Sequence, residues 1–154
     1  MTFSESMQAC LRGSGVRVEV EPQAPRATRG ATCPATIRVS GGTDEALLRS
    51  VVLRLLVATR QWTEPDGQPV EASRFTTRAS RRHLSPVWTR TTVAEARVEV
   101  HERVAAGAST VVDAEVPVPE ACPVTGPGTV LSVNAQAVVE GQIDPTASAA
   151  VTIE

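Results

Sequence analysis

Residues 93–101 read Val-Ala-Glu-Ala-Arg-Val-Glu-Val-His, and their alternation decides the fold class. Ala94, Ala96, Val98 and Val100 fall on one side of an extended chain, and Glu95, Arg97, Glu99 and His101 on the other. Successive side chains of a strand point to opposite faces, so a period of two marks a strand with one face buried and one wet. The same period continues in both directions. Toward the N-terminus, Val16, Val18 and Val20 alternate with Arg17, Glu19 and Glu21, and Ala35, Ile37 and Val39 alternate with Thr36 and Arg38. Toward the C-terminus come Val112, Ala114, Val116 and Val118, then Leu131, Val133, Ala135, Ala137 and Val139, then Ala149, Val151 and Ile153.

Two stretches are less regular. Residues 47–57 carry Val51, Leu53, Leu55 and Val57 with Arg54 opposite, yet Leu47, Leu48, Val51, Val52 and Leu55 also satisfy a helical spacing. Their β-branched content and strand-like neighbours favour a strand. Glu64-Pro65-Asp66-Gly67 has turn chemistry and closes a hairpin onto residues 70–80, where Phe75, Thr77 and Ala79 alternate weakly. Further turns are expected at Ser40-Gly41-Gly42, with the glycines supplying positive φ in a hairpin, and at Ala105–Ala108. Asp144-Pro145 reads as a turn whose carboxylate accepts from backbone N–H groups two residues on. Residues 2–11 are the one helical candidate. Thr2 and Glu5 form a capping box, Phe3, Met7, Cys10 and Leu11 share a face, and Gly13 and Gly15 stop it.

Eight or nine short strands without βα alternation predict an all-β, two-sheet, immunoglobulin-like sandwich at 15–154, preceded by a short N-terminal α-helix within 1–14. A chain of 154 residues, 42% apolar, can bury one core without metal or disulfide staples. That core must be aliphatic, since there are only two Phe, two Trp and no Tyr.

Several function classes recede on composition. No apolar run is long enough to span a membrane. No basic segment followed by an apolar one marks an export signal, which points to the cytoplasm. Cys10, Cys33 and Cys122 are odd in number and lack metal-site spacing, so reduced thiols are the simplest reading, with a Cys33–Cys122 bridge as the alternative. There is no phosphate-binding glycine loop, nucleophile elbow or zinc-protease motif. His83 and His101 stand apart, Glu19/Glu21 and Asp113/Glu115 read as wet strand faces, and Glu64, Asp66, Asp44 and Glu45 form at most an unspecific calcium site. The expectation is no enzyme and no cofactor.

The distribution of charge says more than its net value of -2, which itself argues against nucleic acid. Residues 73–94 hold five arginines (Arg74, Arg78, Arg81, Arg82 and Arg90) and no acid, whereas 104–154 hold six acids and no base. Either basic strands neutralise acidic ones within the sandwich, or the arginines form a docking face for an acidic partner. Trp62 and Trp88 flank the basic segment, as core plugs or as exposed anchors.

The order of landmarks resembles the N-terminal arrestin-like domain of the bacterial sporulation-control (stage-zero M) proteins. A short amphipathic N-terminal segment runs into Gly13-Ser14-Gly15-Val16-Arg17-Val18. Ala35-Thr36-Ile37-Arg38-Val39-Ser40-Gly41-Gly42 is similar to that family's strand ending in a Gly-Gly step, and Leu53-Arg54-Leu55-Leu56-Val57-Ala58-Thr59-Arg60 to its apolar strand ending in Thr-Arg. Cys122-Pro123-Val124-Thr125 and Val139-Glu140-Gly141-Gln142-Ile143-Asp144-Pro145-Thr146 match two later steps, although Ala147 stands where an Asp is usual. The resemblance covers nearly the whole chain, and in the family a second sandwich follows this one. It implies a cytoplasmic regulatory scaffold that binds proteins through sheet edges and end loops. The candidate partner-binding residues are Arg74, Arg78, Arg81, Arg82 and Trp88, and an edge strand offers a route to a homodimer. The competing reading is a secreted or surface immunoglobulin-like binding module, which requires the Cys33–Cys122 bridge.

Overall fold

The computed structural model describes residues 15–63, 69–70 and 85–154. The helix expected at 2–11 and the turn at 64–67 lie outside the described residues. Among the described residues there are nine strands: β1 (Arg17–Pro22), β2 (Arg26–Ala27), β3 (Thr32–Ser40), β4 (Ala46–Thr63), β5 (Pro69–Val70), β6 (Ser85–Val104), β7 (Ser109–Pro117), β8 (Thr129–Val139) and β9 (Thr146–Ile153). They form two sheets. The smaller is β1-β3-β7; the larger runs β2-β9-β8-β4, with both β5 and β6 pairing β4. All pairings are antiparallel except β2 with β9.

The period of two is spent on the space between the sheets. Ile37, Val39, Val51, Leu53, Leu55, Val116, Leu131, Val133 and Ile153 are buried there, and among the described residues no aromatic ring joins this core. The irregular stretch 47–57 is strand, and its mixed pattern has a physical cause. β4 is central, paired with β8 on one edge and β6 on the other. Cross-strand neighbours therefore shield even its outer-facing residues: Val52, beside Arg97 and Gln136, is buried. A register irregularity between Leu48 and Ser50 lets Leu48 and Val51 both face inward.

Two corrections concern turns. Gly41-Gly42 does not close a hairpin with positive φ, because β3 and β4 belong to different sheets and Gly41 is absent from the positive-φ glycines, which are Gly30, Gly107, Gly128 and Gly141 among the described residues. The chain here crosses between sheets beside the β6–β7 crossing. Gly41 N donates to Ala108 O at 2.6 Å and Gly107 N to Gly42 O at 3.1 Å. A Cβ on Gly41 would lie 2.3 Å from Ala105 O, so glycine is required for close approach. Asp144, in turn, reaches backward and not two residues on: Val139 N and Gln136 Nε2 both donate to it, each at 3.1 Å.

Gly41→Ala should lower the free energy of unfolding, measured by urea titration, by about 2 kcal/mol or more, since the opposing atom is backbone and cannot swing aside. Ser50 is fully buried and its hydroxyl has no partner among the described residues. Ser50→Ala should accordingly leave stability unchanged or raise it by up to about 1 kcal/mol in the same assay.

Candidate partner-binding surface

β4 has 18 residues and extends about 60 Å at a rise of roughly 3.3 Å per residue, well beyond an ordinary strand. β8 accompanies it only as far as Thr59, paired with Thr129. Past that point β4 and β6 continue together, from Thr59↔Thr89 to Thr63↔Ser85, as a ribbon that leaves the body of the larger sheet. Short β5 pairs Trp62 and Thr63 near its outer end. Residues 85–92 of β6 are exposed on both faces, so this arm is paired but not packed.

One face of the arm carries a cation between two indoles. Arg60 and Trp88 are directly cross-strand, and Trp62 follows Arg60 by two residues on the same side. The Arg60 guanidinium carbon lies 5.2 Å from the Trp62 ring centroid and 6.0 Å from that of Trp88. Contacts of this kind at exposed sites contribute about 0.5–1 kcal/mol each, enough to order the side chains. Trp88 remains 50% exposed and Val87, on the opposite face, 45%. Trp88 is therefore exposed and not a core plug.

On the sandwich body five arginines have acidic partners, while Arg29 and Arg38 form no ion pair among the described residues. Arg54 bonds Glu95 at 3.0 Å and Gln136 at 2.8 Å, Arg97 bonds Glu99 at 2.9 Å and Arg103 bonds Glu45 at 3.0 Å. Glu140 and Glu154 of the acidic C-terminal segment meet Arg49 and Arg26 at 3.2 and 2.6 Å. Neutralisation within the sandwich thus describes the body. It does not extend to the arm, where Arg60 faces rings and Arg90 makes no hydrogen bond or ion pair among the described residues. Arg74, Arg78, Arg81 and Arg82 lie outside the described residues, as does His83. Sequence reasoning missed Arg60, although its spacing of two from Trp62 was the available signal.

The remaining candidates do not gather into a reaction centre. His101 is exposed at a strand irregularity with φ 51° and lies 3.2 Å from Glu99. Glu19, Glu21, Asp113 and Glu115 are exposed on the smaller sheet. No cluster of three or more potential metal ligands occurs among the described residues, where Glu45 instead pairs with Arg103. No helix among them is long and apolar enough to cross a membrane.

With this architecture established, comparison with known proteins is informative. The family model described as SpoOM protein (Spo0M) matches residues 7–154. The chain belongs to the Spo0M family. Comparison with curated proteins gives no match. Among solved structures, the Spo0M sporulation control protein of Bacillus subtilis is similar in fold, with a TM-score of 0.70 at 16% identity over 91% of this chain. The chain spans about half of that protein, 49% of its length. The sporulation-control resemblance and the two-sheet fold are therefore both found in this Spo0M chain.

Cys33 and Cys122 are buried free thiols, so the bridge required of an exported immunoglobulin-like module is not formed. Burial pushes both thiol pKa values up, opposed at Cys122 by the charge of Arg29. Raised pKa and burial together suppress the thiolate that reacts with alkylating reagents. Labelling at pH 7.5 followed by peptide mapping should leave Cys33 and Cys122 unmodified in the native chain and modify both in urea.

Proposed function

We propose that this chain is a non-enzymatic, cytoplasmic regulatory protein that acts by binding another protein, and that the β4–β6 arm is where the partner docks. The observation that carries this reading is the Trp62–Arg60–Trp88 stack, held in order on a ribbon that no other layer covers along residues 85–92. Tryptophan and arginine are among the residue types that most often dominate binding energy at protein interfaces, through large buried area and, for arginine, its planar fork of donors. The positive charge of Arg60, together with the arginines at 74, 78, 81 and 82 that fall in the sequence between β4 and β6, favours an acidic partner.

The edge of β6 supplies a second means of attachment. Among the described residues β6 pairs only β4, and its other edge would accept an added strand. Around residues 93–101 that edge is blunted by two register irregularities and by Glu95, Arg97 and Glu99, devices that discourage indiscriminate pairing. Along 85–92 the pairing with β4 is regular, so an added strand would run beside the tryptophans. A second copy of the chain would use the same edge, giving a dimer detectable by light scattering.

The test is capture by the immobilised full chain from a cytosolic extract of its own source, followed by binding of the purified captured protein. Trp88→Ala should weaken that binding about 30-fold, the effect of losing one dominant anchor of about 2 kcal/mol, while circular dichroism stays unchanged. Arg60→Ala should weaken it in the same direction, and binding should fall as salt rises. Affinity indifferent to both substitutions would reject the arm as the docking element.

A further inference from the structure

At the base of the arm the outer face of the larger sheet sinks into a shallow groove of about 260 Å³, lined by Leu56, Ala58, Val130, Ser132, Ala150 and Arg90 among others. Its rows are set by pairing: Val130, Ala58 and Arg90 lie side by side, and Ala150, Ser132 and Leu56 form the next row. Val130 is 45% exposed and Ala150 is exposed as well, so among the described residues no layer covers the apolar lining. Arg90 stands at one wall with no ion pair among the described residues.

We infer that this groove reads an extended segment of the protein partner that carries a carboxylate and an aliphatic side chain two residues apart, the carboxylate held by Arg90 and the aliphatic group seated between β4 and β8. This deepens, and rests on, the reading of the arm as a docking element. The geometry sets the spacing. Strands in a sheet lie roughly 4.8 Å apart, which places Arg90 on β6 about 7 Å from the midline between β4 and β8. Residues i and i+2 of an extended segment point the same way and lie roughly 6.6–6.8 Å apart, so the two distances agree. The groove is open to solvent along its length, which suits a segment lying across the sheet. A single uncompensated guanidinium with Glu95 on the same face suits one carboxylate and not a phosphate backbone.

The direct test titrates the full chain with blocked seven-residue peptides in a Ser/Thr background, following tryptophan fluorescence and confirming by calorimetry. The peptide containing Glu-Thr-Leu should bind, and its Gln-Thr-Leu counterpart and the version with Glu and Leu adjacent should each bind about fivefold more weakly, the worth of one exposed charge pair. Arg90→Gln should erase the preference for Glu over Gln, and Ala150→Phe, which fills the groove from an exposed position, should weaken all three peptides. Lack of binding by the Glu-Thr-Leu peptide at millimolar concentration, affinity independent of spacing, or an undiminished preference for Glu in the Arg90→Gln chain would overturn the inference. The captured partner separates the two readings. Dependence on Trp88 with indifference to Arg90→Gln and Ala150→Phe rejects the groove and leaves the arm standing. Indifference to all three rejects both.

Discussion

Strand β4 must satisfy partners on both edges and both faces at once. Its backbone pairs β8 and β6, while Leu48, Val51, Leu53, Leu55 and Val57 on one face fill the space opposite the smaller sheet. With no aromatic ring in the core among the described residues, the layer is closed by Val, Leu, Ile and Ala packed at alternate positions. Each Val, Leu or Ile contributes about 1.5–3 kcal/mol when fully buried, and Ala less, so stability comes from many small side chains and depends on each strand holding its register. Without β4, β6 would lose the one sheet partner it has among the described residues.

The two ends of the sandwich are built differently, and that asymmetry positions the surface proposed for docking. At one end the β3–β4 and β6–β7 crossings are locked together through Gly41, Gly42, Gly107 and Ala108, with no room for a side chain at Gly41. At the other end β4 and β6 run on beyond β8 as a two-stranded ribbon. Such a ribbon is marginal in water by itself. Here it is an extension of strands anchored in the core, and the Arg60–tryptophan contacts add local order. Exposed aromatic surface, an arginine facing rings and another without an acidic partner are what a docking site needs before the partner arrives.

The strands of the body were legible because one face of each is buried and the other wet, a contrast that writes itself into the sequence as a period of two. Where that contrast fails, so does the reading. Residues 85–92 are exposed on both faces, so nothing in Ser-Pro-Val-Trp-Thr-Arg-Thr-Thr alternates, and β6 is longer than its apolar pattern announces. The two residues of β2 pair in parallel with β9, an association between distant segments that leaves no local mark. Gly41 was recognisable as a special position, but its reason, a carbonyl oxygen from a distant turn, lies outside any local window. For the candidate site, Trp88 and Arg90 stood out by type and by the charge segregation around them. Arg60 acquires its role only through cross-strand registry with Trp88, which no single segment encodes.

One continuous strand, β6, passes from the packed sandwich into an arm that is exposed on both faces along residues 85–92. Hydrogen exchange measured residue by residue along β6 in the native chain tests this most directly. Of the amides directed at β4, those within 94–100 should be strongly protected and those within 85–92 weakly so, with the break near the irregularity at Val93. Uniform protection along the whole of β6 would mean that the arm is covered by the chain itself, and the surface described here would not be free to receive a partner.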